Sequence, residues 1–336
     1  MQATGPITVP ELARGSSTIS MVGAESDTGR EGNESFARPF AVVVFALASA
    51  PFGIPQTVLW IYVCASLLSI IGFIKICQEL PQEHGVDKIT PFARLFFAIP
   101  MAVFGSEHLT ATAGIATLVP RWIPAPTFWV YLVGVAFLCA ALSIAVLVQA
   151  RLAAALVGMT LLIFVFVIDV PAVVADPHDR FSWALALRQL AFSGGAFAFA
   201  MSSWSTRPRP PLRAQPTGAW VAFPRFFVGI PSLFYGVEHL LHPAYVPGIP
   251  LQKLTPEWIH GRIFLSYFVG VVLLLAGVCL LVNKKTRLAA TSLGLTILLT
   301  VLWVYLPMLL AAPTDVAALN YFFDTLLFCG VILLLM

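Results

Sequence analysis

Apolar residues run along this chain in blocks of roughly one helix each, separated by short polar breaks. The blocks fall at about 39–54, 56–77, 92–112, 127–149, 152–173, 181–202, 224–241, 263–282, 287–309 and 316–335. A helix needs about 20 residues to cross the hydrocarbon core of a bilayer. None of the blocks alternates with period two, which argues against a β-barrel, and helices are the other way to satisfy a backbone in lipid. The pattern therefore predicts an all-α, polytopic transmembrane helical bundle of about ten spans. The first block is short and ends in Pro51-Phe-Gly-Ile-Pro55, as expected of a tilted or partly buried helix. Residues 1–36 are polar, rich in Gly, Ser, Thr and Glu, and predict a disordered tail without a signal peptide.

The blocks also repeat. Phe92 to Leu109 and Phe223 to Leu240 share nine of eighteen residues at a constant offset of 131. Each copy opens with an Arg (Arg94, Arg225) and closes on a Glu-His pair (Glu107-His108, Glu238-His239). Farther on the offset becomes 136, and Pro120/Pro256, Trp122/Trp258, Gly134/Gly270, Arg151/Arg287, Gly158/Gly294, Pro171/Pro307, Asp179/Asp315 and Gly194/Gly330 align. This predicts an intragenic duplication: a first four-helix unit over 91–205, a Pro/Arg linker over 206–222, and a second unit over 223–336. A two-helix extension over 37–90 precedes them. An even number of helices per unit makes the repeats parallel, unlike inverted transporter repeats.

Composition agrees with the pattern. Of 336 residues 59% are apolar and 10% charged, with mean hydropathy +0.90; a soluble domain carries about 25% charge. The net charge of +3 is scattered, which excludes a nucleic-acid footprint. The five cysteines sit in or beside apolar blocks without a CxxC, and read as packing residues. Arg94, Arg151, Arg207, Arg209, Arg213, Arg225, Lys284, Lys285 and Arg287 fall on one side, which should be cytoplasmic. Arg121, Arg180, Lys253 and Arg262 fall on the other. The expected setting is a bacterial inner membrane, both termini inside and the Glu-His ends outside.

The unit resembles the DoxX-like superfamily of small four-helix membrane proteins. The resemblance rests on the Arg at the start of the first helix, the Gly105-Ser-Glu-His108 and Gly236-Val-Glu-His239 clusters, the Pro-containing loops Val119-Pro-Arg-Trp-Ile-Pro124 and Val246-Pro-Gly-Ile-Pro250, and the basic turns at Arg151 and Lys284-Lys-Thr-Arg287. Members include small subunits of thiosulfate:quinone oxidoreductase. The resemblance implies a membrane redox component working with quinone or haem, partnered by another membrane or redox subunit. Where such proteins often carry a Lys near the end of the first helix, this chain has Glu-His.

Ionisable groups inside spans are costly and mark function by default. Glu107, His108, Asp169, Arg188, Glu238, His239 and Asp324 are the candidates for a polar cluster in the outer leaflet. Glu238, His239 and His242 have helical spacing for a metal, although Pro243 disfavours helix at His242. Asp169 and Arg188 read as an ion pair between adjacent helices, and Asp324 as a carboxylate in need of a partner. Arg94 and Arg225 read as snorkelling residues. Trp122, Trp129, Trp183, Trp204, Trp220 and Trp258 read as interfacial anchors. Pro100 and Pro231 predict matched kinks. No nucleophile–base set, phosphate loop or haem-attachment motif occurs. The other function class is a non-enzymatic small-solute carrier or membrane assembly partner.

Overall fold

A computed structural model describes residues 55–202, 219–249 and 252–336. The polar N-terminal tail, the apolar block at 39–54 and most of the 206–222 linker, with Trp204, lie outside the described residues.

The described chain is a helical bundle. We label its long helices α1 (Gln56–Glu79), α2 (Thr90–Thr110), α3 (Pro126–Val146), α4 (Ala150–Ala175), α5 (Arg180–Met201), α6 (Ala219–Leu241), α7 (Arg262–Leu281), α8 (Thr286–Ala311) and α9 (Val316–Leu333). Eight of them are long and apolar enough to cross a bilayer. The remaining one, α6, is a 23-residue helix lying between α5 and α7. Large apolar side chains such as Phe73 on α1, Phe264 on α7 and Trp303 on α8 point outward, as a lipid-facing surface requires. α2 and α9 are the most enclosed helices and α1 the least.

Turn chemistry sets the boundaries. Asp179 caps α5, its carboxylate accepting from Phe181 N and Ser182 N at 3.1 and 3.0 Å. Hydrogen bonds from the Ser182 hydroxyl and then the Phe181 amide hold this carboxyl below its ordinary range. Asp315 caps α9 through Ala317 N at 3.0 Å. α3 stops at Val146 because Leu147 and Gln149 turn left-handed, and Asn283 and Lys285 do the same before α8. Both α4 and α8 contain one π-turn, Val165–Asp169 and Val301–Tyr305. A proline follows each, Pro171 and Pro307. Proline lacks an N–H and its ring crowds the carbonyl four residues back, and a widened turn accommodates it. Pro100 and Pro231 sit within continuous helices.

Small residues let helices approach closely. A Cβ on Gly105 would stand 2.9 Å from the Gly134 carbonyl, joining α2 to α3, and one on Gly236 would stand 2.9 Å from the Gly270 carbonyl, joining α6 to α7. α5 packs on α6 at Gly194, where a Cβ would lie 2.6 Å from Phe227 Cβ. α9 packs on α2 at Gly330, 2.8 Å from the Phe96–Phe97 backbone. α5 and α9 cross at Gly195 and Val331. α1 packs on α2 and α3.

Candidate functional site

The α5–α9 crossing carries the densest set of buried ionisable groups. α5 brings Arg188 and α9 brings Asp324, each about two turns from its helix start, and their guanidinium and carboxylate form an ion pair. Glu107, from the last turn of α2, faces this pair and has the Asn320 amide as its hydrogen-bonding neighbour. Asp169, closing the π-turn of α4, lies in the field of Arg188. Tyr235 on α6 is fully buried beside these charges, its hydroxyl donating to the Ala184 carbonyl at 2.8 Å.

Two features set the cluster apart from a structural ion pair. Three carboxyls share one guanidinium, so two formal negative charges need protons or a cation in a low-dielectric interior. Four buried polar atoms also lack partners within it: Glu107 Oε1, Asp169 Oδ2, Arg188 Nε and Asn320 Oδ1. Buried polar groups are almost always satisfied, so four orphans in one place mark a site for a ligand, an ion or ordered water.

Four of the seven predicted cluster residues, Glu107, Asp169, Arg188 and Asp324, come together, and the pairings differ from those expected. Arg188 binds Asp324, not Asp169, because α5 and α9 cross while Asp169 approaches from α4. Asp324 is therefore paired. Glu238 leaves the cluster for Arg180, 3.2 Å away at the start of α5. Arg180 in turn stacks over the Tyr245 ring at 4.2 Å. His239 is fully buried, and its Nε2 accepts the Gly248 N–H at 2.7 Å. His242 packs edge-on against Tyr245. The set Glu238, His239 and His242 is thus divided among three partners. Among the described residues no three His, Cys, Asp or Glu converge as metal ligands. His108 makes no ion pair. Its Nδ1 meets the Phe104 carbonyl at 2.7 Å, which fixes the proton on Nδ1 and leaves Nε2 as an acceptor, and its ring stands edge-on to Phe137.

Arg94 corrects a second expectation. It does not snorkel: it is buried and pairs with Glu79 of α1 at 2.8 Å. Its counterpart Arg225 does reach an exposed site, where it bonds Asn283. Trp122, Trp129, Trp183 and Trp258 are exposed, as interfacial anchors are.

Sequence reasoning missed Tyr235, Asn320, Glu79 and Gly248. Polar residues within apolar blocks were the available signal for Tyr235 and Asn320. Glu79, at the far end of α1, was hidden by its place in a polar break. Gly248 carries no signal, since it acts through its backbone.

A family model described as a domain of unknown function, DUF8561, matches residues 97–202. That stretch runs from the middle of α2 to the end of α5. No curated protein matches this chain. No solved structure matches it either.

Proposed function

We propose that this chain is a small-solute-binding membrane protein, a carrier built from two copies of a DoxX-like four-helix unit, with its binding site where the units meet. The observation that carries the reading is the group of four orphaned polar atoms around the Arg188–Asp324 pair. Such a site lies at membrane depth between units, where carriers with parallel repeats hold their substrates.

Several matched features support the duplication. π-turns recur at Val165–Asp169 and Val301–Tyr305, and left-handed residues at Leu147/Asn283 and Gln149/Lys285. Ser193 donates to the Gly158 carbonyl at 2.8 Å, and Cys329 donates to the Gly294 carbonyl at 3.3 Å. All of these follow the offset of 136. The family-model match over 97–202 covers most of the first unit. The excess of Arg and Lys at the turns before α4 and α8 supports an orientation with those turns in the cytoplasm and the Glu-His ends outside. Two of the four basic residues on the outer side are paired with acids, Arg180 with Glu238 and Arg262 with Glu257, which weakens their claim against that orientation.

The donor set does not suit haem. His239 Nε2 is committed to Gly248, and the Nδ1 of His108 to the Phe104 carbonyl. Quinone is the second reading, favoured by the unpaired buried donor Arg188 Nε beside carboxyls at membrane depth. One experiment separates them. Full-length protein is purified in detergent, its lipid extract analysed for quinone, and its thermal stability scanned against small cationic, neutral and anionic solutes. The carrier reading expects a saturable rise in Tm with one solute class that is lost in Arg188→Met/Asp324→Leu. Co-extracted quinone in near-unit amount, lost in that variant, would replace it. No solute effect and no quinone would sink both.

A further inference from the structure

The second unit holds a piece of its own chain at a place that the first unit leaves to something else. At offset 131 His108 matches His239, and at offset 136 Asp169 matches Tyr305. In the second unit the Tyr305 hydroxyl donates to the Pro247 carbonyl at 2.8 Å, while His239 Nε2 accepts the Gly248 N–H at 2.7 Å. That carbonyl and that N–H belong to one peptide group. His239 and Tyr305 therefore grip a single planar amide, one reading its acceptor and the other its donor.

The loop that supplies this amide is built to enter the bundle. Val246 and Ile249 are buried, and Gly248 has φ +107° with Thr325 close beside it, 3.2 Å from where a Cβ would stand. Only glycine takes that backbone conformation without strain. The loop after α2 does not follow this course: Val119 and Ile123, which answer to Val246 and Ile249 in its Pro-containing motif, are only half-buried.

At the two matched positions the first unit presents a different pair. His108 Nε2 is an acceptor, since Nδ1 is committed to Phe104. Ionised, Asp169 is also an acceptor, about nine-tenths buried, with Oδ2 unpartnered. A donor (Tyr305) has thus been exchanged for an anionic acceptor (Asp169). An amide carbonyl placed there would meet a carboxylate, so a group with donors on both sides is required. Glu107, with its own orphaned Oε1, adds a second carboxyl on α2.

We propose that the first unit binds one small organic ammonium ion, held by Asp169 and His108 at the place where the second unit holds the Pro247–Gly248 amide. An ammonium group supplies donors to both acceptors and one positive charge to a cluster with two in deficit. The second unit is filled by its own loop, so the stoichiometry is one per chain. This rests on the solute-binding reading above and narrows it to a charge class.

The test is calorimetric titration of the full-length protein in detergent with methyl- to butylammonium chloride at constant ionic strength, with N-methylacetamide and acetate as neutral and anionic probes. Wild type is expected to bind an alkylammonium at one site per chain and neither other probe. Asp169→Asn is expected to weaken binding at least tenfold, with unchanged elution and circular dichroism. His108→Asn serves as an independent second variant, expected to weaken binding severalfold. Asp169→Tyr recreates the second unit's pair, and is expected to lose the ammonium and gain N-methylacetamide, a switch that a merely structural role would not produce. Equal ammonium affinity in wild type and Asp169→Asn overturns the assignment, as does two-site binding. Binding of the neutral or anionic probe instead overturns the charge class while leaving the solute-binding reading intact. No binding by any probe, with no solute stabilisation, removes both.

Discussion

Removing Arg94 tests whether α1 is fastened to the bundle by a buried charge. Arg94 Nη1 and Glu79 Oε2 are 2.8 Å apart, with 5% and 8% of the two side chains exposed. Truncating one partner of such a pair strands the other charge in an apolar interior, which costs about 3–5 kcal/mol. Arg225, at the matched position, bonds Asn283 at an exposed site, and an exposed polar contact of this kind is worth about 1 kcal/mol or less. Arg94→Met should therefore destabilise the protein by at least about 2 kcal/mol more than Arg225→Met, the difference between those two ranges. Methionine preserves much of the stem packing, so the comparison isolates the charge. Denaturation of the full-length chain in mixed micelles, followed by circular dichroism, gives both values. Arg94→Met/Glu79→Leu removes both charges and should recover most of the loss, since an apolar pair replaces a buried ionic one at little cost. Equal costs at 94 and 225 would refute the reasoning. So would a double variant as unstable as the sum of its single variants.

Other outcomes follow from packing and caps. Gly330→Ala puts a methyl 2.8 Å from the Phe96–Phe97 backbone, and should cost about 1–3 kcal/mol in the same assay by forcing α9 off α2. Gly114→Ala meets nothing within 4 Å, and should be neutral or stabilising by up to about 1 kcal/mol. A variant keeping only Cys77, exposed at the Arg94 end of α1, should react with an impermeant maleimide from the cytoplasmic face alone, whereas one keeping only the buried Cys329 should not react; labelling of Cys77 from outside would reverse the orientation. Asp179 has its carboxyl held low by Ser182 and the Phe181 amide. Its cap is therefore fully present above the unfolded carboxylate value, about 3.9, and is lost as pH falls through the lower folded value. Asp179→Asn should flatten that acid limb of the Tm–pH curve, and an unchanged limb would show that the cap is not its source.

The helices were legible because lipid imposes one rule on every span, and an apolar run of sufficient length reports it directly. Their ends were less so. α3 stops three residues short of its apolar block because Leu147 adopts a left-handed conformation that no glycine announces. The π-turns had a signal in Pro171 and Pro307, read only as aligned positions. The site residues were legible as types and not as partners. Arg94 and Glu238 found partners on the helix just before their own, Glu79 on α1 and Arg180 on α5, and Arg188 found Asp324 four helices on, in α9. Hydrophobicity says which segments span and is silent on which spans touch. The wrong partner for Arg188 came from assuming that neighbours in sequence are neighbours in space.

The pairing of Arg188 with Asp324 has a further consequence under the duplication. The two residues stand at matched positions, offset 136, on helices that cross at Gly195 and Val331. In a dimer of identical units a residue beside the two-fold axis faces its own copy. An ionised group there would meet its own charge, and burial would make the repulsion severe. A single chain lifts that constraint, because each copy of the position can change alone. The Arg–Asp pair is then an arrangement that two separate identical units could not reach. The same freedom separates Asp169 from Tyr305 and lets the Gly248 loop enter one unit and not the other. Divergence at these few positions, with the scaffold glycines and prolines kept in register, turns a symmetric pair of sites into one site filled by the chain and one that is open to a ligand.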